Sequence, residues 1–363
     1  MSTRRRDRRN PGGPTPTARL PAASSRSHHP LFSWPLILVA FFALAAIVLP
    51  LVRYRGGKTG LPEATSAALS VYERGLVKPN VAFQEILAEN SRFSENRSRR
   101  HFPNPVLAYV TPWNSRGSEM AKLFNSKLTH LSPVWYELKS EGKRLVLEGR
   151  HNADRVWISK IRTNGNPLVL PRVVLEAFPV DLLLKKKWWS KAIDIIIKEC
   201  KDMGYDGIVL ESWSRWAAHG ILHDPDMRNM GLDFIKELSE ALHSMTSVES
   251  DNHPLELIYD LKVLILLGLN FYGNDFLVSE GSGGGAITGT DYISLLEKHR
   301  PVIHWDNTSA EHFFIYSHNN ARHAVFYPSL LSLSMRLDEA QVWGAGLSIW
   351  EIGQGLDYFF DLL

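Results

Sequence analysis

The chain has 363 residues, 44% of them apolar and 22% charged, with a single cysteine, which excludes a fibrous or wholly disordered protein and one held by internal disulfides. This is enough for one barrel-sized domain with an appendage. Residues 1–30 hold seven Arg and one Asp, net +6 against +3 for the whole chain, so the rest is about −3 and the charge gives no reason to infer a nucleic-acid partner.

Scattered Pro and Ser make residues 1–30 a solvated, disordered basic tail by composition. Leu31–Val52 then carries no charge over 22 residues. At 1.5 Å per residue such a run covers the roughly 30 Å hydrocarbon core, which predicts a transmembrane helix acting as a signal anchor. The alternative is a cleaved signal peptide, whose apolar part is usually about 7 to 15 residues. Seven Arg before the run against Arg53, Arg55 and Lys58 after it put the N-terminus in the cytosol and the remainder in an endomembrane lumen or outside the cell. The acceptor sequences at Asn96 and Asn307 fit a glycoprotein on that side. Residues 53–101 are polar, with a helical stretch around Val71–Leu87, and read as a stalk.

From residue 102 to 363 strands alternate with helices, which predicts an α/β TIM (β/α)8-type barrel. Val106–Val110, bounded by Pro105 and Pro112, is the first strand, followed by a helix near Ser118–Asn125. Leu128–Leu138 is the second strand and Pro167–Phe178 the third; an amphipathic helix over Leu182–Met203 feeds the fourth. On that helix Cys200 is a packing residue. A helix at Leu232–Met245 follows, with strands at Leu255–Asp260 and Lys262–Tyr272, a helix at Leu330–Val342 and a last strand at Gly346–Ile352. Between Met245 and Lys262 there is too little chain for two full β/α units, so the barrel is expected to be shortened by loss of strands around five and six. The glycine run Gly281–Gly285 lacks a Lys-Ser/Thr ending and reads as a flexible rim loop, not a phosphate loop.

The fourth strand decides the question of function. It reads Asp206-Gly207-Ile208-Val209-Leu210-Glu211-Ser212-Trp213, and alternation puts Val209, Glu211 and Trp213 on one face. If that face is the barrel interior, Glu211 lies one layer down and Trp213 at the mouth. The segment resembles the Asp-Gly-x-Asp-x-Asp-x-Glu signature of glycoside hydrolase family 18, the chitinase-like barrels. Asp206 and Gly207 match; Val209, Glu211 and Trp213 stand where the three further acids belong. Segments at Leu267–Gly273, Ala310–Phe314, His323–Pro328 and Gly346–Leu363 are similar to a chitinase domain-containing subfamily with the same altered strand. In active members the final Glu protonates the glycosidic oxygen and the Asp two residues before it orients the substrate's N-acetyl group. The resemblance therefore implies a barrel whose proton donor is replaced by Trp213. It also implies an insertion between the seventh strand and its helix, and a Tyr-Asp pair on the sixth strand that this chain should lack.

Aromatic faces at strand ends suit the C–H face of a pyranose ring. Trp350 is the leading candidate, because the resemblance implies a tryptophan there as the floor of the central subsite; the competing role is core packing. Trp213, Tyr272 and Trp135 follow, with Trp113 and Tyr136 as further groove candidates. Glu211 is read as a buried polar anchor whose depth argues against general acid catalysis, and Glu351 should point away from the barrel interior. Asp275 is a remote ligand candidate. His312 and His323 have no partners at metal spacing, so neither a metal nor another cofactor is expected. The expected partner is an oligosaccharide containing N-acetylglucosamine, with a membrane contact through residues 31–52. The reading is a membrane-anchored, chito-oligosaccharide-binding protein; the alternatives are an active hydrolase using Glu211 or Asp275, and a luminal scaffold or inactive truncated isoform.

Overall fold

The computed structural model describes residues 69–163, 167–247, 249–250, 252–259, 265–278 and 283–363. The basic tail, the apolar run at 31–52 and the first part of the stalk lie outside the described residues. Among the described residues no helix is long and apolar enough to cross a membrane.

In chain order the elements begin with α1 (Phe83–Glu89), β1 (Val106–Val110), α2 (Ser115–Leu123), β2 (His130–Glu141), β3 (Arg144–Glu148) and α3 (Arg155–Arg162). Next come β4 (Leu168–Val169), β5 (Arg172–Leu175), α4 (Pro179–Leu184), α5 (Lys186–Met203), β6 (Gly207–Glu211), α6 (Trp213–Ala218) and α7 (Pro225–His243). A two-stranded ribbon, β7 (Thr246–Ser247) with β8 (His253–Pro254), precedes β9 (Glu256–Ile258) and β10 (Leu266–Asn270). Then follow β11 (Gly273–Leu277), β12 (Gly284–Ile287), α8 (Gly289–His299), β13 (His304–Asp306), β14 (Glu311–His318) and β15 (Ala321–Phe326), and finally α9 (Leu330–Val342) and β16 (Gly346–Trp350).

The main sheet runs β10-β16-β1-β2-β5-β6-β9, with every pair on this path parallel and with β3 and β4 attached to β2. It is a curled half-barrel. Among the described residues no ladder joins β9 to β10, so the sheet has two edges where a barrel would have none. The strand expected at Leu255–Asp260 is the three residues of β9, paired with Gly207–Val209; among the described residues no strand stands between it and β10.

Local sequence explains the elements well. On α5 the buried residues Trp189, Ala192, Ile193, Ile196, Cys200 and Met203 form one helical stripe, and Gly204 ends the helix at φ 70°, its N–H bonded to Cys200 O. The single helix expected over Leu182–Met203 is two, because Lys185 is extended (φ −116°, ψ 96°) between them. Burial pushes the Cys200 thiol up to about 12, as befits a packing residue.

Residues 69–101 are packed on the barrel. Val71 and Ile86 are buried in its core, Phe93 meets Phe124 edge-on at 4.9 Å, and Arg74, itself buried, pairs with Glu89 and Asp361. A spacer would have none of these contacts, so this part of the expected stalk belongs to the domain core.

Between β10 and α9 stands a separate antiparallel sheet, ordered β12-β11-β15-β14-β13. Its strands β14 and β15 overlap the segments Ala310–Phe314 and His323–Pro328 that carry the family resemblance. The glycine run is corrected in part: Gly284 and Gly285 belong to β12, where a Cβ on Gly284 would lie 2.3 Å from the Phe276 ring. His312 is buried, bonded to Ser329 Oγ at 2.7 Å and Pro79 O at 2.9 Å. Beside it, burial pushes the Glu311 carboxyl up to about 7 against the opposing pull of Ser332 and Arg336. The folded state therefore holds this proton more tightly than the unfolded chain. The stabilising contribution is complete below about 4.5 and is lost as pH rises toward 7, at no more than about 1.4 kcal/mol per unit. Urea unfolding of Glu311→Gln should show a flatter slope between those limits; an unchanged slope would assign it to other groups.

Candidate functional site

Strand alternation sorts the sheet's side chains into two sets. Ala108, Ile208, Leu210, Leu347 and Ile349 face the helices in the large core, whereas Leu107, Leu170 and Val209 form a small separate cluster with Tyr109, Ile258 and Leu266 on the inner face. Above that cluster, at the carboxyl ends of the strands, is a cavity of about 380 Å³. Tyr109, Arg172, Glu211, Ser212, Trp213 and Tyr259 supply its polar and aromatic lining. Such a volume holds a small ligand or a sugar ring or two.

The signature strand enters this cavity differently from expectation. Strand β6 stops at Glu211, Ser212 leaves the extended region (φ −134°, ψ −16°), and Trp213 is the first residue of α6. The alternation therefore ends one residue early. Glu211 is in the uppermost layer and opens into the cavity, and Trp213, 59% exposed, lines the rim beside it without sealing it. Glu211 forms an ion pair with Arg172, the two side chains being 29% and 20% exposed, and Ser214 Oγ donates to Glu211 at 3.4 Å. The carboxylate is thereby engaged with a cation instead of free toward a ligand. Burial draws the Arg172 pKa below its ordinary value.

Trp350, half-buried, faces the same interior. Its ring is 5.3 Å from that of Tyr109, and the Arg172 guanidinium lies 5.6 Å from its centroid. Trp350, Tyr109, Arg172, Glu211 and Trp213 are thus brought into one place. The peptide between Trp350 and Glu351 is cis. Glu351 turns away from the cavity, as alternation requires, and is buried, accepting from Asn114 Nδ2 at 2.6 Å and from Gly353 N at 3.1 Å; burial raises its pKa.

Other candidates fall elsewhere. Trp135 is 9% exposed and packs on the helix side of the sheet against Trp157 (5.8 Å) and Tyr205 (6.3 Å). The cause is a register shift between Val134 and Tyr136, which puts two successive residues of β2 on the outer face. Tyr136 is buried there too, bonded to Tyr205 and Glu199 at 2.8 Å each. Neither can line the groove. Tyr272 is half-buried at the junction of β10 and β11, its carbonyl accepting from Asn270 Nδ2 at 2.5 Å, and is not part of the cavity wall. Asp275 is held in the small sheet by Tyr316 (2.6 Å) and His323 (3.0 Å) and is not part of the cavity wall. Trp113 is 72% exposed on the loop after β1. Among the described residues no group of three or more His, Cys, Asp or Glu is placed to hold a metal ion.

Three cavity residues were missed in the sequence. Arg172 stands alone in an otherwise apolar strand, which was a usable signal. Tyr109 alternates with Leu107 on β1. Tyr259, whose hydroxyl lies 3.0 Å from Ser212 Oγ, directly follows the strand beside β6 and is followed in the sequence by Asp260, which lies outside the described residues. That is the pair of residue types the family resemblance placed one strand later.

No family model matches the chain. Solved structures do. The spore cortex-lytic enzyme SleL of Bacillus megaterium superposes with a TM-score of 0.55 at 16% identity, over 74% of each chain. A chitinase from Chromobacterium violaceum gives 0.55 at 16% identity, over 71% of this chain and 98% of its own. The family GH18 chitinase of Cycas revoluta, solved with (GlcNAc)3, gives 0.54 at 12% identity, over 71% and 97%. At such identities the likeness is one of fold. The chain has the fold of the glycoside hydrolase family 18 chitinase-like TIM barrels, with no ladder joining β9 to β10 among the described residues and a small antiparallel sheet after β10.

Proposed function

We propose that the chain is a chitinase-like protein of the chitinase domain-containing protein 1 type, binding oligosaccharides that contain N-acetylglucosamine at the carboxyl ends of its strands without hydrolysing them. The observation that carries the reading is the ion pair between Glu211 and Arg172: among the described residues Glu211 is the one carboxylate lining the cavity and it is already paired, while Tyr109 and Trp213 line the same cavity and Trp350 lies against Tyr109. That the Cycas chitinase was solved with (GlcNAc)3 supports the choice of sugar. We further propose that residues 1–30 are cytosolic, that 31–52 anchor the chain, and that the barrel domain lies in an endomembrane lumen or outside. The charge asymmetry around the apolar run supports this, and Asn96 and Asn307 are both exposed.

The rival reading, an active hydrolase, draws on Glu211 reaching the cavity. Turnover and binding of chito-oligosaccharides by the full chain separate the two. Saturable binding is expected with no cleavage by the wild type or Glu211→Gln; robust cleavage abolished by Glu211→Gln would refute the non-hydrolytic reading, and absence of saturable binding would favour a scaffold or inactive isoform. Chain made in a secretory host should lose a glycosidase-sensitive mass on Asn96→Gln or Asn307→Gln. No glycan on either would remove the luminal assignment.

A further inference from the structure

Arg172 and Val209 are opposed in the β5–β6 ladder, and Val174 opposes Glu211, so Arg172 and Glu211 leave neighbouring strands into the same interior space. Trp350 belongs to β16, on the other side of β1 and β2. The guanidinium thus reaches across the half-barrel and comes to rest 5.6 Å from the indole centroid, while Glu211 holds its other side. Ser214 in turn bonds Glu211, and the charge of Glu137 also favours the cation at this spot. A planar guanidinium and the C–H face of a pyranose are alternative partners for one aromatic face. They cannot share it.

We propose that Arg172 controls access to Trp350: tethered by Glu211, it lies over the indole face on which a neutral sugar ring would stack, so the sugar binds only by moving it aside. The inference deepens the carbohydrate-binding reading and rests on it. It makes Arg172 a specificity-determining residue that weakens binding of neutral sugars, the opposite of a ligand-gripping arginine. Because its charge is already engaged by Glu211, Arg172 offers little to an acidic sugar, so the chemistry favours a neutral, N-acetylated ring.

The test uses the full chain as wild type, Arg172→Met and Arg172→Met/Glu211→Gln, the double variant removing both charges so that no carboxylate is left unpaired. Chitotetraose binding is measured by calorimetry. Independently of sugar, 19F NMR of protein labelled with 5-fluorotryptophan follows Trp350, its signal identified by loss in Trp350→Phe. The expected result is a displaced Trp350 signal in both variants and about five-fold tighter chitotetraose binding in the double variant. If the wild type binds and the variants bind equally or more weakly, the covering role is overturned while the sugar reading stands. If the wild type prefers a glucuronate-bearing oligosaccharide and Arg172→Met abolishes that preference, Arg172 is an anion receptor and the proposal falls. If none of the three binds any sugar, the carbohydrate reading fails and this inference with it.

Discussion

Trp350→Ala lowers the affinity of the full chain for chitotetraose about 30-fold, close to 2 kcal/mol, the loss expected when a central aromatic anchor is removed from a small site. The expectation follows from position: Trp350 is half-buried, faces the interior, and is flanked by Tyr109 and Arg172, both of which line the cavity. Trp213→Ala, at the exposed rim, should cost about threefold, within the range of a peripheral stacking contact. Trp135→Ala provides the control. Its ring is in the core against Trp157 and Tyr205, so truncation should cost about 3 kcal/mol of stability yet leave affinity unchanged in protein that remains folded. Calorimetric titration of the three variants decides the matter. Equal losses for Trp135→Ala and Trp350→Ala would mean that stability, and not the indole face, controls binding.

Gly207→Ala has the larger effect on the fold. The residue sits at φ 144°, outside the region open to alanine, and a Cβ there would lie 2.0 Å from the carbonyl oxygen of Glu256 and 2.6 Å from its nitrogen. Both are backbone atoms, and Gly207 and Glu256 are directly opposed in the ladder that pairs β9 with β6. The variant should lose about 4 kcal/mol or more, enough to unfold a marginally stable domain, and in any surviving folded protein the cavity should lose the wall made by Ile258 and Tyr259. Gly268→Ala is the matched comparison on the facing edge strand β10: a Cβ there meets nothing within 4 Å, so its cost should stay under about 1 kcal/mol. Urea midpoints for the pair give the answer. Similar midpoints would show that β9 detaches freely and that the edge is not part of the folding unit.

Hydrophobic patterning made much of this architecture legible. The strand at Val106–Val110 and the helix at Leu330–Val342 stand where periodicity and punctuation placed them, and the last strand, expected over Gly346–Ile352, ends two residues sooner at Trp350, because each is a continuous apolar or amphipathic run ended by Pro, Gly or a polar turn. The shortage of chain after α7 was also visible, since counting residues between elements needs no coordinates. The site was less legible. Trp350 and Glu351 could be assigned to opposite faces by alternation alone, and they are on opposite faces. Trp135 and Trp213 could not, because a one-residue departure from alternation moves every later side chain to the other face.

Composition and order of residues along the chain thus determined the strand-helix succession, the place of the signature strand and the absence of an acid at residue 213, all of which are local properties. Tertiary structure alone decided the rest: a bulge in β2 buried Trp135, an early helical turn brought Glu211 up to the mouth, and packing across the half-barrel joined Arg172 to both Glu211 and Trp350. Those pairings link β5, β6 and β16, which are far apart in sequence. The spacing within one strand carries no information about which charge will meet which ring across the interior.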